Sequence, residues 1–485
     1  MTVMKFGGTS VKDARSLQNV RDIVLAHNQP SVLIVVSACA GVTNALIDMV
    51  SAAAAGRGSD ALLQLSALRI RHLTLADSLL AAARQETIDL LQKDCDDLEH
   101  LLKNLSTLRE FTPRALDQCT AYGERWSSLL LAGILRERDA RVRWADARSV
   151  MITNDEFTRA IPQPSVVADR ASDLWLPLLK DGGTIVTQGF IGATEDGFTT
   201  TIGRGGSDYS AAVFGSVLGA EEIQIWTDVD GILTADPSLL PEARRIKVMT
   251  FQEASELAYF GARVLHPSTI LPAVEKGIPV RVLNSLHPDG AGTLIRNDVQ
   301  DSEECIVKSI AYKEGITVIT VQSTRMLMNY GFLARVFDVF AGYKKSIDVV
   351  TTSEVGVSIT VDNPAFVGHI VEDLREFADV SVESEKAVVC VVGENMRRTR
   401  GIAARVFSAL DEAGVNAEMI SHGGSDINLT FVIDENDIAK AVKSIHRQFF
   451  NQATHAGIFD FGGRKKGVGT ALGSGGIHQK VSTKA

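Results

Sequence analysis

A short apolar run that is followed by a small-residue loop and a helical pattern constrains the fold of this chain most strongly. The run VLIVV at 32–36 is continuously apolar, as is typical of a strand buried on both faces. The same order of strand, loop and helix recurs at TVMKF, TIVTQGFIG, TTTIGRGGSD and IQIWTDVDG. Strands that alternate with helices predict an α/β fold, a mostly parallel sheet covered by helices on both faces. Ligands of such sheets bind beyond the carboxyl ends of the strands, where these glycine loops fall.

The segment 301–455 contains two similar units. The first reads ITVITVQS, GFLARVFDVFAGY, SIDVVTTS and VGVSITVD before a helix over about 365–377, and the second reads AVVCVVGE, GIAARVFSALDEAG, NAEMISHG and NLTFVIDE before a helix over about 436–449. Two runs of the same design within one chain indicate an internal duplication of an α+β module of the βαββαβ type. Modules of this kind have an open sheet edge and commonly pair across subunits, so we expect a homo-oligomer, with a dimer as the simplest form.

These differences in sequence pattern predict a catalytic α/β domain at 1–298, a first module with its linker at 299–385, a second module at 386–456 and a tail at 457–485. Within the first domain, residues 60–110 are rich in leucine and charge and lack Gly and Pro, which predicts a long helix or helical hairpin that serves as scaffold. The tail has eight glycines and five Lys or Arg residues, so we expect a flexible terminus.

Composition excludes several classes of function. The net charge of −10 argues against nucleic acid or an anionic membrane as the main partner. No window reaches the ~18 consecutive apolar residues that a membrane helix needs, and the N-terminus is too short in its apolar part for a secretory signal. The cysteines are odd in number, widely spaced and without a CxxC pair: Cys39, Cys95, Cys119, Cys305 and Cys390. They predict free thiols in a reducing cytosol rather than disulfides or a cysteine-based zinc site, so we expect a cytoplasmic protein.

Two glycine loops carry the chemistry. The chain has neither a GxxxxGK[ST] motif nor the protein-kinase motifs, so a phosphate site must come from other loops. Lys5 is followed by Gly7 and Gly8, which let bare backbone approach a ligand, and then by the N-terminus of a predicted helix. GRGGSD at 203–208 is a second loop with its own cation at a second strand-to-helix junction. Two such loops favour phosphoryl transfer over ordinary tight turns.

The strings KFGGTS, SACAGVTN, YGER, TQGFIG, GRGGSDYSAA, WTDVDGILTADP and FGARVLHP occur in this order and precede the duplicated module. Together they resemble the aspartate kinases, which belong to the amino acid kinase family and carry C-terminal ACT domains. The resemblance covers about residues 2–450. It implies the amino acid kinase fold, ATP and Mg²⁺ as cofactors, and phosphorylation of the β-carboxylate of L-aspartate to 4-phospho-L-aspartate. That reaction is the first step toward lysine, threonine and methionine.

The resemblance also assigns site residues. It implies that Lys5 contacts the transferred phosphoryl group and that Asp208 holds Lys5. The expected substrate contacts are Thr43, Glu124, Arg204 and Ser207, with Arg204 on the α-carboxylate and Glu124 on the α-ammonium group. The expected ATP contacts are Lys5, Gly7, Gly8, Thr9, Thr227, Asp228 and Arg263. Metal ligands stay unassigned.

Three departures from the family pattern concern the nucleotide. Leu233 and Ser238 stand where relatives often have Tyr and Arg, and Arg263 stands where they usually have Lys. Arg244 or Arg245 is a candidate to supply the missing charge. Because Arg and Lys differ in geometry, the nucleotide contacts are expected to differ more from the family than the aspartate contacts do.

Resemblance to ACT domains implies feedback inhibition by an end-product amino acid bound at the interface of paired modules. The expected contacts are Met326, Asn329, Gly331, Phe332, Leu333, Ser346, Ile347, Asp348, Ser353, Glu354 and Val355. Asp348 and Glu354 suit the ammonium group of lysine, which we favour over threonine, and the set is similar to that of the lysine-sensitive branch. The chain ends too soon for a fused homoserine dehydrogenase, so a monofunctional enzyme is expected.

Two other readings remain open from the sequence. One is a different amino acid kinase, such as one acting on glutamate, which the AGVT and YGER strings and the duplicated module disfavour. The other is an amino-acid-sensing regulator with an inactive kinase half, which Lys5, Arg204 and Asp208 disfavour.

Overall fold

The computed structural model describes residues 1–27, 31–203, 205–260, 267–297, 306–323, 330–422, 424, 426–450 and 459–460. An eight-stranded sheet organises the first 300 residues. Its strands are β1 (Thr2–Phe6), β2 (Val32–Val36), β3 (Val142–Trp144), β4 (Thr184–Gln188), β7 (Glu222–Thr227), β9 (Val248–Thr250), β10 (Val280–Asn284) and β11 (Thr293–Arg296). Two further strand pairs form separate two-stranded sheets: β5 (Ile191–Ala193) with β6 (Thr199–Thr201), and β8 (Arg245–Ile246) with β18 (Phe459–Asp460). The order is β3-β4-β2-β1-β7-β10-β11-β9, with β10 and β11 antiparallel and the other neighbours parallel.

Eleven helices surround this sheet within the described residues. They are α1 (Ala14–Ala26), α2 (Val42–Ala54), α3 (Gly58–Leu79), α4 (Arg84–Leu108), α5 (Pro113–Thr120), α6 (Tyr122–Arg136), α7 (Pro164–Leu174), α8 (Leu176–Lys180), α9 (Gly206–Leu218), α10 (Phe251–Tyr259) and α11 (Pro267–Glu275). Alternate residues of a strand face opposite sides of a sheet. Accordingly, Val3 shares an apolar cluster with α7, α9 and α10, whereas Met4 shares another with α1, α2 and α6. Helices therefore cover both faces, and the predicted α/β fold is confirmed.

The leucine-rich stretch forms a helical hairpin, α3 and α4, as expected. Asp13 caps the helix α1, because its side chain accepts a hydrogen bond from the Ser16 N–H. Ser10 lies in a short 3-10 helix, and its hydroxyl exchanges a hydrogen bond with Ser285 Oγ at 2.8 Å. Four cysteines are buried free thiols, as predicted, and Cys305 lies outside the described residues.

A six-stranded antiparallel sheet forms the rest of the molecule. Its strands are β12 (Val307–Gln322), β13 (Val350–Thr352), β14 (Gly356–Val361), β15 (Asp379–Gly393), β16 (Met419–Ser421) and β17 (Asn428–Asp434), in the order β13-β14-β12-β15-β17-β16. The helices α12 (Phe332–Gly342), α13 (Val367–Arg375), α14 (Ile402–Glu412) and α15 (Ile438–Phe450) accompany it. Both predicted modules are present, each with its own pair of helices.

The modules are not consecutive in the chain. The first half of β12 pairs with the second half of β15, as at Tyr312 opposite Val389. The second half of β12 pairs with β14 on one side, as at Ile319 opposite Ile359, and with the first half of β15 on the other, as at Ile319 opposite Val382. Residues 307–313 therefore complete the sheet of the second module, although the sequence placed them in the linker of the first. The first module is inserted between this strand and the rest of the second.

The tail at 457–485 is expected to be flexible, but its described residues, Phe459 and Asp460, form the strand β18. Phe459 pairs with Ile246, is fully buried and stacks edge to face on Phe450 at 5.3 Å. One aromatic side chain thus anchors this part of the tail. Among the residues that the structure describes, none of the helices combines the length and the apolar character that a membrane span requires.

Candidate active site

A cavity of about 500 Å³ lies where β1 and β2 end and α9 begins. This is the edge at which a parallel sheet binds its ligands. It is lined by Lys5, Gly8, Ser37, Ala38, Cys39, Ala40, Gly41, Thr43, Asn44, Glu124, Phe190, Gly203, Gly205, Gly206, Ser207 and Asp208. We call this space the Lys5 cavity. It brings together residues from both glycine loops, the AGVT loop and the YGER helix.

Lys5 is the cation at the base of the cavity. It lies on β1 between Val35 of β2 and Ile225 of β7, and its side chain is only 10% exposed. Its Nζ lies 2.6 Å from Asp208 Oδ1 in the first turn of α9. An acidic side chain at a helix N-terminus interacts favourably with the positive end of the helix dipole. The structure thus places Asp208 beside Lys5, as the resemblance implies.

Close backbone contacts hold the loops together. A Cβ on Gly8 would lie 2.7 Å from the Ala38 carbonyl oxygen, and a Cβ on Gly189 would lie 2.6 Å from Ser207 Cβ. No side chain fits in either gap. Glycine at these positions therefore lets the loops after β1 and β2 touch, and lets the loop after β4 pack on the start of α9.

Glu124 supplies a buried carboxylate to the same cavity. It lies in the first turn of α6, and its Oε1 accepts a hydrogen bond of 3.2 Å from the Ala38 N–H. Its Oε2 is buried and has no hydrogen-bond partner among the described residues. Burial raises the pKa of this carboxyl to about 8, and the Ala38 N–H offsets only part of that rise. A buried carboxyl with one unpaired oxygen has its ionised form stabilised when a cationic group lies beside it.

Fewer of the residues expected at the phosphate site line the Lys5 cavity than the sequence predicts. Gly8 lines the Lys5 cavity, but the Gly7 N–H donates to the Trp226 carbonyl oxygen at 3.0 Å. The Gly7 N–H is therefore already engaged in this structure and is not free for phosphate. Thr9 is exposed beside the loop and is not among the cavity-lining residues. Thr43 and Ser207, two expected substrate contacts, do line the cavity.

Cys39 lines the cavity but is not a candidate nucleophile. Its Sγ donates to the Val11 carbonyl oxygen at 3.0 Å, and burial raises the pKa of the thiol to about 12. The thiolate, not the thiol, is the nucleophile, so this residue is inert at neutral pH.

Thr227 and Asp228 follow the neighbouring strand, β7. The Thr227 carbonyl oxygen accepts from the Ser285 N–H at 2.8 Å, and the Thr227 hydroxyl donates to Asp228 Oδ1 at 3.2 Å. Ser285 also bonds Ser10 of the Lys5 loop. The loop of Thr227 and Asp228, which is expected to contact the nucleotide, is thus linked through Ser285 to the loop that follows Lys5. It lies one strand away from the Lys5 cavity.

The departures from the family pattern have local partners. Ser238 donates both its N–H and its hydroxyl to Asp236 Oδ1, at 2.8 and 2.6 Å, and Leu233 forms a β-bridge with Arg245. The Arg245 guanidinium donates to the Gly292 carbonyl oxygen. Arg245 is therefore held by the backbone here and is a poor candidate for the missing nucleotide charge. Four predicted site residues, Arg204, Arg263, Met326 and Asn329, lie outside the described residues.

Sequence reasoning missed two residues that position the site. Arg71 of α3 donates to the carbonyl oxygens of Lys12, at 2.7 Å, and Ala40, at 3.4 Å, and so joins the phosphate loop to the AGVT loop. Asp117 of α5 is buried and accepts from the N–H groups of Thr158 and Thr201 and from the Thr201 hydroxyl, at 2.7–2.9 Å. Thr201 ends the strand that leads into the second glycine loop. Neither residue belongs to a local motif, since its partners are distant in the chain.

The expected effector residues fall into two groups. Gly331 and Phe332 begin α12, where Gly331 has φ +86° and open space around it, and Leu333 follows, partly buried. The turn Ser353, Glu354 and Val355 is exposed and lies beside the end of β12, because the Ser323 N–H donates to the Val355 carbonyl oxygen.

The second group, Ser346, Ile347 and Asp348, precedes β13. The Asp348 N–H donates to the Thr360 carbonyl oxygen. The Ser353 N–H donates to the carbonyl oxygen of Gly356, which lies four residues before Thr360 on β14. At the rise of a strand, Asp348 and the turn at 353–355 are about 13 Å apart along β14. Asp348 itself is only 5% exposed and is bound by Tyr259 and Lys313.

The chain matches the amino acid kinase family over residues 1–284 and the ACT domain over 389–449. It is 37% identical to the lysine-sensitive aspartokinase 3 of Escherichia coli K12, over 93% of this chain and 99% of that protein. It is also 37% identical to the chloroplastic aspartokinase 1 of Arabidopsis thaliana, over 92% and 80% of the two chains.

Solved structures give the same result. The chain is similar to E. coli aspartokinase III in complex with lysine and aspartate, described as the T-state, with a TM-score of 0.78, 36% identity and coverage of 93% and 99%. It is equally similar to that enzyme in complex with aspartate and ADP, described as the R-state, with a TM-score of 0.77, 36% identity and coverage of 93% and 100%.

Proposed function

The chain belongs to the aspartokinase family, and from this premise we propose that the protein transfers the γ-phosphoryl group of ATP to the β-carboxylate of L-aspartate in the Lys5 cavity. The products are ADP and 4-phospho-L-aspartate. The observation that carries the proposal is that one cavity contains the Lys5 cation and the unpaired carboxylate oxygen of Glu124. These two groups match a substrate that has both an anionic and a cationic end.

Charge neutralisation is the main demand of this reaction. A carboxyl with a reference pKa near 3.9 is ionised at neutral pH, so no general base is needed. Two like unit charges 4 Å apart repel by roughly 4 kcal/mol at an effective dielectric constant of about 20. Lys5 lies in a largely buried position with little water to screen it, so it lowers this barrier by standing between the two oxyanions.

The other residues orient aspartate. Glu124 Oε2 accepts a hydrogen bond from the α-ammonium group. Arg204 is assigned to the α-carboxylate, because a guanidinium binds a carboxylate with two parallel hydrogen bonds. Thr43 and Ser207 hydrogen-bond the substrate from opposite loops. The N-terminus of α9 adds the positive end of its dipole beside Asp208. Together these contacts hold the β-carboxylate in line with the phosphoryl group.

ATP is assigned to the neighbouring loop, with Thr227, Asp228 and Arg263 as contacts and Gly8 at the phosphates. We further assign Mg²⁺ to the nucleotide phosphates. The described residues contain no group of three or more His, Cys, Asp or Glu that could hold a metal ion, and Mg²⁺ is commonly bound through substrate phosphates and few protein ligands. When bound, Mg²⁺ would neutralise developing phosphate charge.

We propose that the inserted first module binds an end-product amino acid, with lysine favoured over threonine. Asp348 and the turn at 353–355 lie about 13 Å apart along β14, which supports a site completed by two paired modules. Asp348 of one chain would then approach the Gly331 and Ser353 end of the other. This arrangement requires a homo-oligomer.

The pairing of β12 with β14 and β15 supports a division into three domains. We propose a catalytic domain at about 1–298, a first ACT module at about 314–385 and a second built from 307–313 with 386–450. We also propose a cytoplasmic location, in keeping with the buried free thiols.

Release of ADP tests the proposed function. We expect ADP formation that requires both ATP and L-aspartate, yields a hydroxylamine-trappable acyl phosphate, and falls on addition of lysine. L-Glutamate in place of aspartate should give little turnover. If ADP appears equally without aspartate, or if glutamate is the better acceptor, the assignment is wrong, and complete inactivity would favour the amino-acid-sensing regulator.

A further inference from the structure

A hairpin follows the loop that is expected to contact the nucleotide. After Thr227 and Asp228 the chain turns back on itself, and Leu233 forms a β-bridge with Arg245. We call residues 232–246 the nucleotide hairpin. Two of the three departures from the family pattern lie within it. The contacts that hold this hairpin therefore bear on how the protein binds ATP.

The first half of β12, which completes the sheet of the second module, holds the first arm of the nucleotide hairpin. The Ser309 hydroxyl donates to the Leu233 carbonyl oxygen at 2.8 Å. The Ile310 N–H donates to the Thr234 carbonyl oxygen at 2.9 Å. Both donors belong to buried residues, where a polar group needs a partner. The arm is thus bound to the second module through its backbone.

Tyr312 of the same strand holds the turn of the hairpin. Its hydroxyl donates to Asp236 Oδ2 at 3.1 Å, while Asp236 Oδ1 accepts from the N–H and the hydroxyl of Ser238. Burial and the neighbouring Asp236 carboxylate raise the pKa of Tyr312 to about 12, so the hydroxyl keeps its proton at neutral pH. The carboxylate that shapes the turn around Ser238 is therefore fixed from the second module.

His446 of α15 connects the two arms of the hairpin to the second module. Its Nε2 shares a hydrogen bond of 2.9 Å with the Thr234 hydroxyl, and that hydroxyl also accepts from the Arg244 N–H at 2.9 Å. Both side chains are buried, and burial together with the nearby Arg244 lowers the pKa of His446 to about 4. The imidazole is therefore neutral at neutral pH, and the junction contains no imidazolium charge.

An aromatic row extends this junction to the tail. The His446 ring packs on Phe450 with their centroids 4.6 Å apart, and Phe450 contacts Phe459 edge to face. Phe459 pairs through its backbone with Ile246, the last residue of the hairpin. The second module and the described part of the tail thus contact both arms and the turn of the hairpin.

We propose that the second regulatory module positions the nucleotide hairpin for ATP, and that Tyr312 and His446 are positioning residues that act through Asp236 and Thr234. This inference rests on the proposed function, because it takes the loop after β7 as the nucleotide site. The contacts lie within one chain and involve none of the candidate effector residues. The positioning therefore operates whether or not an effector is bound.

The expected effect is on nucleotide affinity. Ordering a chain segment costs conformational entropy, and a segment that is already ordered does not subtract this cost from binding. When only part of the molecules hold the competent arrangement, the apparent Kd rises in inverse proportion to that part. The described residues that line the Lys5 cavity include none from the hairpin, so the chemical step at saturating ATP should change little.

Tyr312→Phe tests the positioning, because it removes one hydroxyl and keeps the ring. A lost hydrogen bond to a charged acceptor predicts a rise of about three- to tenfold in the KM for ATP and in the Kd for ADP measured by calorimetry with Mg²⁺. The kcat at saturating ATP and the KM for aspartate should change less than twofold. Tyr343→Phe is the matched control, since Tyr343 donates to Asp373 Oδ2 at 2.8 Å in the first module. Its Kd for ADP should match the wild type.

Thr234 provides a second test with its own rescue. Thr234→Val keeps the shape of a fully buried side chain but removes the hydroxyl that joins Arg244 and His446. We expect a similar rise of about three- to tenfold in the Kd for ADP. Thr234→Ser retains the hydroxyl and should stay within twofold of the wild type.

The outcomes separate the positioning from the proposed function. If Tyr312→Phe and Thr234→Val both bind ADP as tightly as the wild type, the contacts are only structural and the positioning is wrong. A fall in kcat together with a rise in both KM values would indicate general disruption and would also contradict it. If the wild type binds ADP but releases none from ATP with aspartate, the proposed reaction is wrong, whereas the Kd values of the variants still decide the positioning. A wild type that binds neither ADP nor ATP would contradict both.

Discussion

Lys5→Met is expected to lower kcat by about 10²- to 10³-fold, the usual cost of removing one group that stabilises transition-state charge. Lys5 Nζ is the cation at the base of the cavity, 2.6 Å from Asp208. Methionine keeps the length of the stem, so the buried position stays filled while the charge is lost. The measurement is aspartate-dependent ADP release at saturating ATP.

Lys12→Met is the control for this variant. Lys12 is an exposed lysine at the end of the same loop, and its contact with Arg71 uses only its backbone carbonyl oxygen. We expect nearly wild-type turnover and a melting temperature close to that of wild type. If Lys5→Met retained more than about a tenth of wild-type kcat, charge neutralisation by Lys5 would not be the main source of rate.

Glu124→Gln is expected to raise the KM for aspartate by about 10- to 100-fold, as for a lost hydrogen bond between charged groups. Gln fills the same space but cannot pair with an ammonium group. The KM for ATP should change little, because Glu124 contacts the Ala38 N–H on the aspartate side of the cavity. Glu86→Gln, which changes an exposed partner of Arg136, is the control and should leave both KM values unchanged.

The raised pKa of Glu124 adds a pH signature. Since this pKa is about 8 in the empty site, kcat/KM for aspartate should rise with pH up to about 8 and then level off, and the Gln variant should lose that dependence. The folded-state pKa also lies above the ordinary value of 4.5, so the folded protein binds more protons than the unfolded one between those values. The free energy of unfolding contributed by this group therefore falls as pH rises through that window. A wild-type kcat/KM for aspartate that is constant from pH 6 to pH 8.5 would contradict this role.

Patterns local in sequence predicted much of the catalytic domain. Continuous apolar runs such as 32–36 are readable because burial on both faces demands them, and the glycine loops are readable because close backbone contact does. The pairing of Lys5 with Asp208 followed from the family resemblance, and the geometry agrees.

The contacts that local patterns could not predict join distant segments. Tyr259 and Lys313 reach Asp348 from 89 and 35 residues away, and no periodicity encodes such a meeting. The insertion of the first module was missed for a related reason. Residues 307–313 continue directly into the second half of β12 through Gly315, at φ +69°, so the sequence offered no break that separates the two modules.

A crystal structure with L-aspartate and a non-hydrolysable ATP analogue tests the central claim most directly. We predict that Lys5 Nζ lies within about 3 Å of both a γ-phosphate oxygen and the β-carboxylate, with the α-ammonium group at the same distance from Glu124 Oε2. If aspartate or the γ-phosphate were bound outside the Lys5 cavity, the proposed catalysis by charge neutralisation would be contradicted.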